Sequence, residues 1–183
     1  MTRATLLTAA AAFLLQTPLA AQQPTLVTDL LRDVTQVQAK LVGLAEAMPE
    51  TSYGWRPAEG VRSVGEVFKH VASDNYLIGG IPGSAPPAST GIDPKDYRTA
   101  LAYEARAMSK AEAVAELKAS FAFLNEAIRP TTADDLRRTL QVFGSEMTRQ
   151  QLWIMAVTHL HEHLGQAIAY ARSNGVVPPW SRQ

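Results

Sequence analysis

Apolar positions recur at three- and four-residue steps over four stretches of the chain, the period of helices that bury one face. The first runs from about Thr25 to Met48. Leu26, Leu30, Val34, Val37, Leu41, Leu44 and Met48 form its stripe, and Pro49 ends it. The second starts at Ser63, where Ser63-Val64-Gly65-Glu66 has the spacing of a capping box: Ser and Glu side chains satisfy backbone N–H groups left over at a helix start. It continues through Val67, His70, Val71, Asp74, Asn75 and Ile78, and Gly79-Gly80 is expected to stop it. The third opens on a second capping box, Ser109 to Glu112, carries Val114, Leu117, Phe121, Leu124 and Ile128, and ends at Pro130. The fourth follows Thr148, which pairs with Gln151, and runs to about Asn174, before Gly175 and Pro178-Pro179.

Two connections stand out. One, roughly Gly79 to Ala107, begins with GGIPGSAPPASTGIDP. Loops this long are uncommon in compact domains unless they are functional or mobile, so segment 79–94 is either a linker or a lid. The other, Thr131 to Met147, holds a polar stretch and then TLQVFGSEM, which reads equally as a strand-like excursion or a turn. No internal repeat is present, and no strand pattern is strong enough for a sheet. Four amphipathic helices predict an all-α, up-and-down-type four-helix bundle.

The N-terminus, MTRATLLTAAAAFLLQTPLAAQQPT, has a different pattern. Arg3 supplies a positive start, Leu6 to Leu15 an apolar block too short to span a bilayer, and Leu19-Ala20-Ala21 small residues suited to a signal peptidase. A helix packed into the domain is the alternative. The order of the three features favours a signal peptide over residues 1–21 and a mature domain over 22–183. The protein is then periplasmic or secreted, with no membrane span after cleavage.

Composition narrows the chemistry. A chain of 183 residues, 46% hydrophobic and 19% charged, suits one globular domain with a core. Basic and acidic residues number 17 each and no Lys/Arg run occurs, so no nucleic-acid partner and no anionic membrane is expected. With no cysteine, thiolate catalysis, Cys-based zinc sites and disulfides are excluded, and a metal must be held by His, Asp, Glu, backbone or water.

The four histidines lie in two places. His70 sits beside Val67 and Val71 on the second helix's apolar face, while His159, His161 and His163 lie in THLHEHLGQ on the fourth. At about 100° per residue, His159 and His163 share a face and His161 points to the opposite side. Two imidazoles one turn apart, joined by a third from a facing helix, can hold one divalent metal with positions left open, as in catalytic sites. Hydrogen-bonded core histidines are the alternative. The run also spells H-x-x-E-H, the inverted zinc-protease signature. No Asp or Glu follows Glu162 to supply the third ligand that signature needs, and the chain is too short for such a fold.

Together and in order, YGWRPAEGVRSVGEVFKHVASDNYLI, HLHEHLGQAIAYARSNGVVPP and the helix sequence resemble the DinB-like (DinB/YfiT) metal-binding four-helix bundles. The resemblance spans essentially the whole mature chain. It implies that His70, His159 and His163 are the metal ligands, that His161 is none, and that the metal is zinc, nickel or another divalent ion. Some members use the metal to activate a low-molecular-weight thiol, a chemistry that an exported protein fits poorly.

Two functions follow. One is a metal-dependent hydrolase or thiol-type transferase acting on an unidentified small molecule. The other is a non-catalytic exported module that binds metal or pairs as a homodimer. Asp74, one turn from His70, is expected to be a solvent-facing helix acid rather than a residue orienting a ligand. Glu162 is read as a surface charge, and Gln166 and Tyr76 as packing residues beside the site. Three imidazoles suit Zn, Ni, Cu, Fe and Co alike, with Zn or Ni favoured here.

Overall fold

The computed structural model describes residues 25–181. The expected signal peptide lies outside the described residues. Four long helices dominate: α1 (Leu26–Ala47), α2 (Val64–Gly80), α4 (Lys110–Ile128) and α6 (Arg149–Ser173). Two short ones, α3 (Tyr97–Glu104) and α5 (Ala133–Leu136), precede α4 and a hairpin of β1 (Thr139–Val142) and β2 (Ser145–Thr148).

The helix starts follow the capping pattern. Ser63, Ser109 and Thr148 each accept a hydrogen bond from the backbone N–H three residues on, while Glu66, Glu112 and Gln151 reach back to the cap. Thr25 with Thr28 and Thr132 with Asp135 do the same. Glu66 takes the Ser63 N–H at 2.6 Å, and this bond, helped by Arg56, holds its carboxyl below the ordinary 4.5. A lowered carboxylate pKa stabilises the fold above the unfolded value, and the stability is lost as pH falls through the folded one. Thermal stability is therefore expected to fall below about pH 4.5, and Glu66→Gln to flatten that acid limb. Identical acid limbs in both proteins would show that this cap contributes nothing.

The apolar stripes meet in one core. Val34, Val37, Leu41, Leu44, Val67, Phe68, Leu117, Phe121, Leu124, Leu152, Trp153 and Leu160 are all buried in it. Each such Leu or Phe contributes roughly 1.5–3 kcal/mol. Around the bundle, however, α1 packs against α4 and α6, and α2 packs against the same two. Sequence neighbours α1 and α2 thus lie diagonally opposite, as do α4 and α6, which departs from the expected up-and-down order. The connections explain it. Short loops of two to five residues force adjacent antiparallel helices, whereas residues 48–63, between α1 and α2, and 129–148, between α4 and α6, are long enough to cross the bundle ends.

Three local expectations also change. Gly79 and Gly80 do not stop α2 but lie in its last turn. A Cβ at Gly80 would meet Pro94 Cγ at 2.3 Å and one at Gly79 would meet Phe123 at 2.8 Å, so close packing requires glycine there. The long connection is not structureless: it contains α3, and its remainder is tied down where Arg106 donates to the carbonyls of Ser89 and Thr90 at 3.0 and 2.5 Å. The segment after α4 forms a two-stranded sheet, with Thr139 opposite Thr148 and Val142 opposite Ser145. Its tip, Phe143-Gly144, has φ of 50° and 83°, the paired positive values of a type I′ turn. Asn-Gly ordinarily marks such a turn, which is why Phe-Gly carries no hairpin signal.

Candidate metal centre

The site forms where α2 faces α6, closed on one side by α3. His70 and Asp74 stand one turn apart on α2, and His159 and His163 one turn apart on α6. Histidines 70, 159 and 163 offer nitrogen atoms that all lie within 4.8 Å of one another. His70 and His163 are buried, and the His159 side chain remains 28% exposed, which leaves an approach from solvent. The rings meet edge to face, with centroids 4.4–5.4 Å apart.

Hydrogen bonds outside the cluster fix which nitrogen each ring turns inward. His163 Nδ1 lies 2.9 Å from Gln166 Oε1. The Gln166 amide nitrogen donates to the Tyr170 hydroxyl at 3.0 Å, and that hydroxyl donates to the Arg62 carbonyl at 3.1 Å. The relay leaves Gln166 Oε1 as an acceptor only, so His163 carries its proton on Nδ1 and presents a bare Nε2 to the site. Trp55, packed edge-on against Tyr170 at 5.3 Å, holds the relay from the outside.

His70 is oriented the same way. Its Nδ1 lies 2.8 Å from Glu104 Oε1, which also accepts from Ser73 Oγ at 2.9 Å, while the other Glu104 oxygen pairs with Arg62 at 3.2 Å. Burial pushes the Glu104 carboxyl up, but the hydrogen bond and charge of His70, with Ser73 and Arg62, bring it below its ordinary value. Lys69 donates to the carbonyls of Glu104 and Arg106 at 2.6 and 2.7 Å and clamps the end of α3 to α2. A carboxylate behind the distal nitrogen of a histidine is the usual support of a metal ligand.

His159 Nε2 lies 2.7 Å from Asp74 Oδ2 and 3.2 Å from His163 Nε2. Because His163 Nε2 has no proton to give, His159 donates here. The hydrogen bond to Asp74 raises the His159 pKa, while burial, partly offset by Gln166, lowers that of His163. Outside the cluster, His161 is half exposed and pairs with Asp33 at 3.0 Å, as its helical phase requires.

The arrangement fits a divalent ion. Three inward-facing Nε2 atoms converge, two with their distal nitrogens held by fixed acceptors, and the Asp74 carboxylate lies against two of the three. Such an ion is a Lewis acid that polarises carbonyl or phosphoryl oxygens and makes water acidic.

A model of the DinB superfamily matches residues 33–167, a span that contains all three histidines. The chain belongs to the DinB superfamily. No curated protein matches it. Solved structures share the superfamily fold at low identity. A DinB-like protein from Bacillus cereus ATCC 10987 is 19% identical, with a TM-score of 0.66 over 82% of this chain and 93% of that one. The DinB-like protein YjoA from Bacillus subtilis is 20% identical, with a TM-score of 0.62 over 81% and 93%. YfiT from Bacillus subtilis, described as "a probable metal-dependent hydrolase with an unusual four-helix bundle topology", is 17% identical, with a TM-score of 0.65 over 86% and 93%.

Within this DinB-superfamily bundle, two expectations about neighbouring residues are corrected. Asp74 is not solvent-facing: it is 9% exposed and lies inside the cluster. Gln166 is not mere packing, since it fixes the His163 tautomer. Tyr76 does pack, in a separate apolar cluster with Leu77 and Tyr103. Glu162 remains a surface charge, 75% exposed and 3.6 Å from His159 Nδ1. Sequence reasoning missed Glu104 and Arg62. Ser73, one turn from His70, was the only signal on the right helix face.

Removing the carboxylate behind His70 tests the support. Glu104→Gln is expected to lower metal affinity by roughly 10–100-fold, the range for such outer partners, with helical content unchanged. A chelator-competition titration measures it, and an unchanged affinity would make the Glu104–His70 contact purely structural.

Proposed function

We propose that the protein binds one divalent transition metal, zinc or nickel, through His70, His159 and His163 and acts as a metal-dependent hydrolase or transferase on a small molecule. The observation that carries the reading is the inward convergence of three Nε2 atoms, two of them turned by dedicated partners, Glu104 and Gln166. Core histidines held only by hydrogen bonds need no such shared focus. The partial exposure of His159 supports an open position for substrate. YfiT, described as "a probable metal-dependent hydrolase", supports the reaction class by analogy of fold.

Here Glu104 and the Gln166 relay hold the imidazoles of His70 and His163 in place, and the His159 Nε2 that faces Asp74 would give up its proton on binding a metal. The N-terminal pattern adds export: residues 1–21 have the charge, apolar block and small-residue order of a signal peptide.

The test is elemental mass spectrometry of residues 22–183, followed by turnover on ester, amide and phosphoester panels before and after chelation. About one equivalent of metal, with turnover lost on chelation and restored by metal, is expected. Protein that stays metal-free after reconstitution with Zn and Ni would end the metal reading. Stoichiometric metal without turnover would favour a non-catalytic binding module.

A further inference from the structure

The bundle presents two pairs of side chains, each pair one turn apart on its own helix: His70 with Asp74 on α2, and His159 with His163 on α6. Three of these four are the histidines already assigned. The fourth is a carboxylate whose surroundings are unusual.

Asp74 Oδ2 lies 2.7 Å from His159 Nε2 and 3.4 Å from His70 Nε2, and His159 Nε2 lies 3.2 Å from His163 Nε2. Donor atoms about 2.0–2.2 Å from one tetrahedral ion stand roughly 3.3–3.6 Å from each other. The 3.4 Å from the carboxylate oxygen to His70 Nε2 and the 3.2 Å between the two α6 nitrogens are close to that spacing, and the 2.7 Å to His159 Nε2 is a hydrogen bond that a metal would replace. It meets the inward Nε2 atoms of His70 and His159, the ones that face the focus, in contrast to Glu104, which meets the distal nitrogen of His70.

Charge accounting points the same way. Glu104 has Arg62 and Ser73 besides His70. Among the described residues Asp74 pairs with histidines alone, at 2.7 and 3.4 Å, and no Arg or Lys reaches it. A buried carboxylate without a fixed cation is costly, and a metal ion at the histidine focus would supply the missing charge.

We propose that Asp74 is a fourth protein ligand, so that the centre is a His3Asp site built from two facing one-turn pairs. The proposal rests on the three-histidine reading above and changes its consequence. Four protein donors leave a tetrahedral ion closed, so substrate binds by expanding the coordination to five or more.

Cobalt(II) absorption spectroscopy of the protein tests this, because visible cobalt bands report the inner coordination sphere and are insensitive to a hydrogen bond outside it. Asp74→Asn preserves shape and removes the anionic donor. It is expected to change the position and intensity of the visible bands and to weaken cobalt binding by more than about 100-fold, beyond the range of outer partners. Wild-type bands retained in Asp74→Asn, whatever its affinity, would overturn the proposal while leaving the three-histidine site standing. Cobalt that fails to bind the wild-type protein would overturn both.

If a thermal melt shows that Asp74→Asn does not fold, Asp74→Cys decides the matter. The chain has no other cysteine. The longer metal–sulfur bond, about 2.3 Å against about 2.0–2.2 Å for oxygen, partly offsets the shorter side chain. A new near-ultraviolet thiolate-to-cobalt charge-transfer band places position 74 in the inner sphere, and its absence places it outside.

Discussion

Alanine at position 163 is expected to leave the protein folded but without stably bound metal. His163 is buried, its Nδ1 is committed to Gln166, and its Nε2 is 3.2 Å from that of His159. Removing it leaves one site-facing imidazole on α6, and the affinity loss should exceed the roughly 10–100-fold typical of residues that only orient a ligand. The fold should survive because Gln166 is half-buried and water can replace its lost donor. Metal equivalents by elemental mass spectrometry, beside far-ultraviolet circular dichroism, give the answer. His161→Ala is the control: His161 is half exposed, faces Asp33 and should keep full metal content. Equal metal in His163→Ala and wild type would remove the centre from α6.

The largest loss of stability is expected at Trp153. It is the largest fully buried side chain, and its Nε1–H donates to Thr131 Oγ1 at 3.1 Å. Trp153→Ala opens a cavity and strands a buried hydroxyl, at a cost of about 3–5 kcal/mol. At roughly 2–4 °C per kcal/mol for a domain of this size, the melting temperature should fall by roughly 6–20 °C. The comparison belongs in metal-free protein, because bound metal adds stability by mass action. Trp153→Phe should fall between, retaining most of the apolar burial while Thr131 loses its donor. A loss below about 1 kcal/mol for the alanine variant would mean that the core relaxes around this position.

The two effects separate cleanly. Trp153 is on the first turns of α6, near the hairpin, and the metal ligands are on its middle turns. A Trp153 variant should bind metal normally per folded molecule, and a His163 variant should melt close to the metal-free wild type.

Sequence pattern reached some features and not others for identifiable reasons. Helix boundaries were legible because caps are local: Ser63 with Glu66 and Ser109 with Glu112 need only three residues of context. The face of α6 was legible because helical phase is arithmetic, and it separated His161 from His159 and His163. The hairpin tip was not, since Phe143 adopts a positive φ that its residue type rarely takes. Nor was α3, which follows a Gly/Pro-rich run and is pinned by Lys69 from another helix. The place of Asp74 was not legible because nothing local distinguishes a carboxylate facing water from one facing His159 on the adjacent helix.

By itself, then, the sequence determined four amphipathic helices, most of their ends, and three histidines able to share a focus, because periodicity and capping act within a turn or two of chain. Only the tertiary structure decided the order of helices around the bundle, the burial of Asp74, the carboxylate that turns His70 inward, and the anchor of the Gln166 relay behind His163. Those depend on contacts such as Glu104 with His70 and Tyr170 with Arg62, between residues far apart in sequence. Such contacts arise only when separate helices pack, and no local pattern encodes them.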